Sequence, residues 1–151
     1  MSAPNECSIV ETQPRQAAVI KAEVAMAEIP ATQRALRPKL KVGLQAMDVG
    51  PLGDTLTAWS PPMDGRMALW PGVLVSRASA AAGEIEPVTL PAGRAAHLLM
   101  QGPYDGLPAA WGRLFAWCKA EQLPLAGRNW EIYHDDPDPA AIRIELYALL
   151  A

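Results

Sequence analysis

Slid past itself by 78 positions, the 151-residue chain meets its own pattern without a gap. Val10 falls on Val88, Ala17 and Ala18 on Ala95 and Ala96, Pro30 on Pro108, Ala31 on Ala109 and Leu36 on Leu114. The alanine matches count for little in a chain this rich in alanine. The prolines count for more, because both land in the first turn of a predicted helix, where a missing N–H costs nothing. For the closing strands the offset becomes 75, which sets Trp70 on Glu145, and the loop after the helix absorbs the difference. The order strand, strand, helix, strand, strand is thus given twice, over about residues 7–76 and 84–150. A duplication of this kind packs as two equivalent halves about a pseudo-two-fold, with a cleft where they meet. We therefore expect one domain over 1–151, of α+β class. Its antiparallel sheet should hold about eight strands with two helices on one face.

The best-specified stretch runs from Arg94 to Lys119. Arg94 to Gln101 is apolar enough for a half-buried strand, and Gly102-Pro103 ends it, since proline has no donor for a ladder. Asp105 is placed as an N-cap and Pro108 in the first helical turn. Leu107, Ala110, Trp111, Leu114, Phe115 and Cys118 recur at three- and four-residue spacing, so this face must be buried. In the first half, strands are expected at Ser8–Glu11 and Gln16–Val24, joined around Gln13-Pro14. A helix is expected over Glu28–Val42, kinked or shortened by Pro38. After a loop over Asp48–Asp54 come strands at Thr55–Ser60 and Met67–Val75, then a small-residue linker, Ala78–Gly83. Further strands are expected at Glu86–Leu90, Trp130–His134 and Ile142–Leu150.

Several function classes are disfavoured. A net charge of −3 gives no basic face for a nucleic-acid backbone. The longest apolar run, Met67–Val75, is too short for a membrane span and is broken by Pro71 and Gly72. Met1-Ser-Ala-Pro-Asn-Glu6 lacks the basic and apolar regions of a secretory signal, so the cytoplasm is the expected compartment. Cys7 and Cys118 have neither metal-ligand nor disulfide spacing. Phosphate-binding glycine loops, serine nucleophile elbows and Cys/His dyads are missing, so neither a cofactor nor a catalytic residue is assigned. His134-Asp135-Asp136 is too compact for a metal site in a chain with two histidines, and an Asx-rich turn before Pro137 explains it. His97, on an apolar strand, reads as a satisfied, semi-buried histidine, and Tyr104 as packing on its own turn.

The last strand alternates, with Ile142, Ile144, Leu146 and Ala148 on one face and Arg143, Glu145 and Tyr147 on the other. A solvated sheet face would account for the second set. The aromatic distribution favours a binding wall instead. Five Trp and three Tyr stand against one Phe, and Trp59, Trp70, Trp130, Tyr133 and Tyr147 all fall on expected strands. A carboxylate ringed by such aromatics holds an organic cation by charge neutralisation and cation–π attraction. Walled in and unpartnered, Glu145 would have a raised pKa.

Leu90-Pro-Ala-Gly-Arg-Ala-Ala96, Gln101-Gly-Pro-Tyr-Asp105, Trp130-Glu-Ile-Tyr-His-Asp-Asp-Pro137 and Ile144-Glu-Leu-Tyr147 together resemble the GyrI-like small-molecule-binding family. That family includes effector-binding domains of multidrug-responsive and AraC-type bacterial transcription activators. The resemblance implies a curved antiparallel sheet, helices behind it and a ligand groove in front. It implies that Glu145 neutralises a cationic ligand and that Tyr147 and Tyr133 line the groove; Trp70 and Trp59 complete the candidate set. The leading expectation is a stand-alone module that binds lipophilic, cationic small molecules, without direct DNA binding, and more a binder than an enzyme. Two alternatives stay open. One is a hydrolase of strained cyclopropane-bearing toxins with Glu145 as general base or nucleophile and Trp70 opposite. The other is a gyrase-inhibitor-like module that binds an unspecified protein partner.

Overall fold

The structure, a computed structural model, describes residues 4–78 and 80–151. Residues 1–3, where the expected N-terminus begins, and Ser79, in the expected Ala78–Gly83 linker, lie outside the described residues. The described residues form nine strands of antiparallel sheet and two α-helices. In chain order they are β1 (Cys7–Thr12), β2 (Arg15–Ile20), β3 (Ala22–Val24), α1 (Ile29–Gln45), β4 (Leu52–Trp59), β5 (Met67–Val75), β6 (Ile85–Leu90), β7 (Gly93–Gln101), α2 (Leu107–Ala120), β8 (Leu125–His134) and β9 (Arg143–Leu150). No helix among the described residues is long and apolar enough to cross a membrane.

The duplicated module is plain in these bounds. β1 maps onto β6 at an offset of 78, and α1 and α2 begin 78 residues apart. Each helix carries its proline in the first turn. The ninth strand has a local cause: the stretch corresponding to β7 breaks at Lys21, leaving β3 as a separate piece paired with β5.

By contacts the chain forms two compact units. The central unit is Pro14–Pro91. The terminal unit joins the segment ending at Gln13 to Ala92–Ala151. β1 and β2 were expected as a joined pair, but β1 pairs with β7, and β2 with β5 and β6. The connection explains it. Gln13-Pro14 cannot supply the positive backbone angles of a two-residue hairpin turn, so the chain runs on extended.

In the central unit, β4 pairs with β5, β5 with β2 and β2 with β6. α1 covers one face, where Leu40 and Leu44 pack with Ala18, Ile20, Val49, Val73 and Ile85. The helix does not end early at Pro38 but runs on to Gln45. Pro38 is on the exposed side, where water can satisfy the carbonyl it leaves unbonded, while Leu36, Leu40 and Leu44 hold the helix to the core. In the terminal unit, β1 pairs with β7, β7 with β9 and β9 with β8. α2 buries Ala110, Trp111, Leu114 and Cys118. Asp105 does not cap it. A 3-10 turn over Tyr104–Gly106 intervenes, so Gly106 holds the cap position and no side chain bonds there.

Candidate functional site

The pleat of the terminal unit sorts its polar residues onto two faces. On β9, Ile144, Leu146 and Ala148 are fully buried and stand beside Met100, Leu98 and Ala96 of β7. Opposite Leu146 on β8 is Glu131, and opposite Ile144 is Tyr133. The Trp111 indole of α2 donates to Glu131 Oε1 at 2.9 Å, which identifies this as the helix-covered face. Tyr133 donates its hydroxyl to Oε2 of the same carboxylate at 2.6 Å. Its ring lies 5.7 Å from that of Tyr104, whose hydroxyl donates to Asp135.

The other face carries Glu145. His97 Nε2 lies 3.1 Å from its Oε1, His134 Nε2 2.9 Å from its Oε2, and the Tyr147 hydroxyl donates to Oε1 at 3.2 Å. Tyr147 stands between His97 of β7 and Trp130 of β8 in register. It stacks on Trp130 with centroids 5.3 Å apart and planes 12° apart, and it meets the His97 ring at 4.8 Å. An ionised carboxylate only accepts, so each histidine must present Nε2–H to it. That leaves Nδ1 of His97, on a side chain 7 % exposed, buried without a hydrogen-bond partner.

Glu145 is therefore neither unpartnered nor raised in pKa. The His97 hydrogen bond, working against burial and helped by His134, holds it down at about 2. It is a half-buried carboxylate that stays charged at neutral pH. The two imidazoles grip opposite oxygens of one acid, so their Nε2 atoms are turned to Glu145 and not to a shared ion. Among the described residues, no group of three His, Cys, Asp or Glu side chains has metal-holding geometry.

The sequence-derived set is thus divided. Glu145 and Tyr147 lie together on one face. Tyr133 does not share their wall; one residue out of phase with Ile132, it turns to the α2 side and to Glu131. Trp59 and Trp70 belong to the central unit. Trp59 packs against Val24, Met67 and Leu69, as Ile29 of α1 also does, on the helix-covered face, because β4 places it opposite Leu69. Trp70, one position out of phase, takes the other face, where the Lys21 ammonium lies 5.7 Å from its ring centroid. Sequence reasoning missed His97 and His134 as partners of Glu145, and Glu131 altogether. The signal for Glu131 was its strand phase, which sets it on the face of Tyr133 two positions on and of Leu146 opposite it.

The sequence profile described as GyrI-like small molecule binding domain matches residues 5–150. Among solved structures the chain resembles EcmrR in an EcmrR–DNA complex, at 18 % identity and a TM-score of 0.82, covering 96 % of this chain and 57 % of that one. The chain thus spans just over half of EcmrR. Against the EcmrR C-terminal domain alone, coverage is 97 % of both chains, with a TM-score of 0.75 and 18 % identity. SAV2435 bound to tetraphenylphosphonium matches at 17 % identity and a TM-score of 0.74, over 97 % of this chain and 94 % of that one. A hydrolase from Listeria innocua matches at 10 % identity and 0.61, over 98 % and 93 %. At these identities the likeness is one of fold. Among curated protein sequences none matches this chain.

Proposed function

We propose a function from one premise: this chain belongs to the family of GyrI-like small molecule binding domains. Its ligands are lipophilic cations, held on the face of the terminal unit that carries Glu145 and Tyr147. The observation that carries this reading is a half-buried carboxylate whose pKa is held at about 2 and which is bonded by Tyr147, whose ring stacks on Trp130. An organic cation gains there from both charge and ring faces. Trp70 supports the same chemistry in the central unit, where its ring already faces one ammonium, that of Lys21. The tetraphenylphosphonium bound by SAV2435 is a ligand of this class.

The hydrolase reading has less support. A carboxylate held at about 2 is a weak general base at neutral pH, and both of its oxygens already accept hydrogen bonds. A role in transcription would require the ligand signal to reach a DNA-binding partner or domain.

The test is a thermal-shift series with tetraphenylphosphonium and with neutral triphenylphosphine oxide, followed by mass spectrometry of the recovered ligand. At a hundred times its dissociation constant the cation should add about 2.7 kcal/mol of stability and return chemically unchanged. A protein stabilised equally by the neutral compound, or a ligand recovered with altered mass, would contradict a cation-binding module.

A further inference from the structure

The carboxylate of Glu145 is nearly full of hydrogen bonds before any ligand arrives. Oε1 accepts from His97 Nε2 at 3.1 Å and from the Tyr147 hydroxyl at 3.2 Å, and Oε2 accepts from His134 Nε2 at 2.9 Å. A carboxylate offers about four lone-pair sites, two on each oxygen. Oε1 is therefore filled, and at most one site, on Oε2, remains. An imidazole that bears its Nε2–H donates it whether or not Nδ1 is also protonated, so this count does not depend on the charge of either ring. Nearby acceptors add little. Glu145 lies on a middle strand, between Leu99 of β7 and Ile132 of β8, and the ladders on both sides take up the backbone carbonyls. Nδ1 of His97 is buried. The negative charge, in contrast, stays open to the surface, since 28 % of the Glu145 side chain is exposed.

We propose that this site selects lipophilic cations without N–H donors, namely quaternary ammonium and phosphonium compounds, over protonated amines and guanidinium compounds. The inference rests on the cation-binding reading above and narrows its ligand class. Charge attraction acts on either kind of cation and needs no free lone pair. A hydrogen bond does need one. A primary ammonium brings three N–H donors, each bonded to water beforehand, to a carboxylate with room for one. Donors left over on the half-buried face lose their water without gaining a partner, which weakens binding. A trimethylammonium or tetraarylphosphonium centre has no such donor to strand. It spreads its charge over alkyl or aryl groups suited to the face of Tyr147, whose ring is already stacked on Trp130.

The three donors are thus specificity-determining residues, and two of them can be changed without emptying the core. Tyr147→Phe removes a hydroxyl and preserves the ring on Trp130. His134, partly exposed, tolerates replacement by another planar ring, and His134→Phe frees a site on Oε2. Either change opens one acceptor site and leaves the carboxylate itself in place. His97 is too deeply buried to serve as a clean variant.

The experiment is calorimetric titration at neutral pH with decylammonium and decyltrimethylammonium, which share one tail and one charge, and with tetraphenylphosphonium as reference. In the wild-type chain the trimethyl compound should bind about tenfold tighter or more than the primary ammonium. Its methyl groups contribute to that ratio but are the same for every variant, so the change in ratio isolates the donors. In Tyr147→Phe and in His134→Phe the ratio should fall by about threefold or more, through tighter binding of the primary ammonium. Either variant decides the question by itself, so a failure of one to fold leaves the test standing. Binding of tetraphenylphosphonium with no preference between the two decyl compounds would overturn the selectivity and leave cation binding intact. Failure of all three cations to bind would overturn both. A preference that the variants keep unchanged would assign it to methyl burial and overturn the role given to the donors.

Discussion

The two units share one frame and differ in what they bury in it. At equivalent positions 78 residues apart, Gln33 of α1 and Trp111 of α2 each donate to a strand residue on the helix-covered face. In the central unit the acceptor is the Thr57 hydroxyl, which also accepts from Arg37. In the terminal unit it is a carboxylate, Glu131. The other faces diverge further. His97 corresponds to Val19 and Glu145 to Trp70, so the central unit has two apolar side chains at the places where the terminal unit has a histidine and a carboxylate. The comparison teaches that the two halves preserve the strand-and-helix frame while the side chains within it specialise.

Arg37 shows how the frame tolerates an awkward residue. Pro71 sits within β5 opposite Thr57 and has no N–H to give. Beside it, the Arg37 guanidinium donates to the carbonyls of Gly72 at 2.9 Å and Leu56 at 2.7 Å, and to Thr57 Oγ1 at 2.9 Å. Gln33 accepts from its Nε at 3.0 Å and so steadies the fork.

The largest expected effect separates the helices. Leu114→Ala should cost roughly 2–5 kcal/mol in a denaturant melt, since Leu114 is wholly buried under α2. Its counterpart Leu36 is only partly buried, so Leu36→Ala should cost clearly less. Equal losses would break the claim that the halves are packed unequally. Next comes Arg37→Met, which strips donors from two carbonyls and a hydroxyl. About 1–3 kcal/mol is expected for each group left short in the interior, less whatever water recovers. Trp111→Phe preserves the ring against Phe115 and removes one donor from buried Glu131, so about 1–3 kcal/mol should go. If Arg37→Met proved neutral and Trp111→Phe severe, the central anchor would be packing alone.

Much of the fold was legible in the sequence because its signals are local. The 78-residue offset carried over from residue matches to helix starts, and the first-turn prolines marked both of those starts. The alternation of β9 put Glu145 opposite in sense to Ile144 and Leu146. Strand pairing was not legible. Nothing in Cys7–Thr12 says that its partner is Gly93–Leu98 and not the strand two residues on. The site failed for a related reason. Whether Tyr133 and Trp59 turn to the groove or the core depends on the phase of β8 and β4, and aromatic content alone cannot set a phase. His97 and His134 are 37 residues apart in sequence, and only β9 between their strands makes them partners.

A smaller effect sharpens the charged half of the comparison. Glu145 has a folded pKa of about 2 against an ordinary 4.5, so it contributes stability above the ordinary value and loses it as pH falls toward 2. The stability gap between wild type and Glu145→Gln should therefore narrow between about pH 4.5 and 2 in acid melts. A gap that stays constant would mean that the histidines do not hold the carboxylate.

The most direct measurement is the affinity of Glu145→Gln for tetraphenylphosphonium beside that for triphenylphosphine oxide, at one pH near 8. The substitution preserves the shape and the Tyr147–Trp130 stack but removes the charge. Cation affinity should fall by at least about tenfold, equivalent to roughly 1.4 kcal/mol, with the neutral ligand changed far less. Equal affinities in the variant and the wild type would return Glu145 to an ordinary sheet residue and contradict a charge-based binding site in the terminal unit.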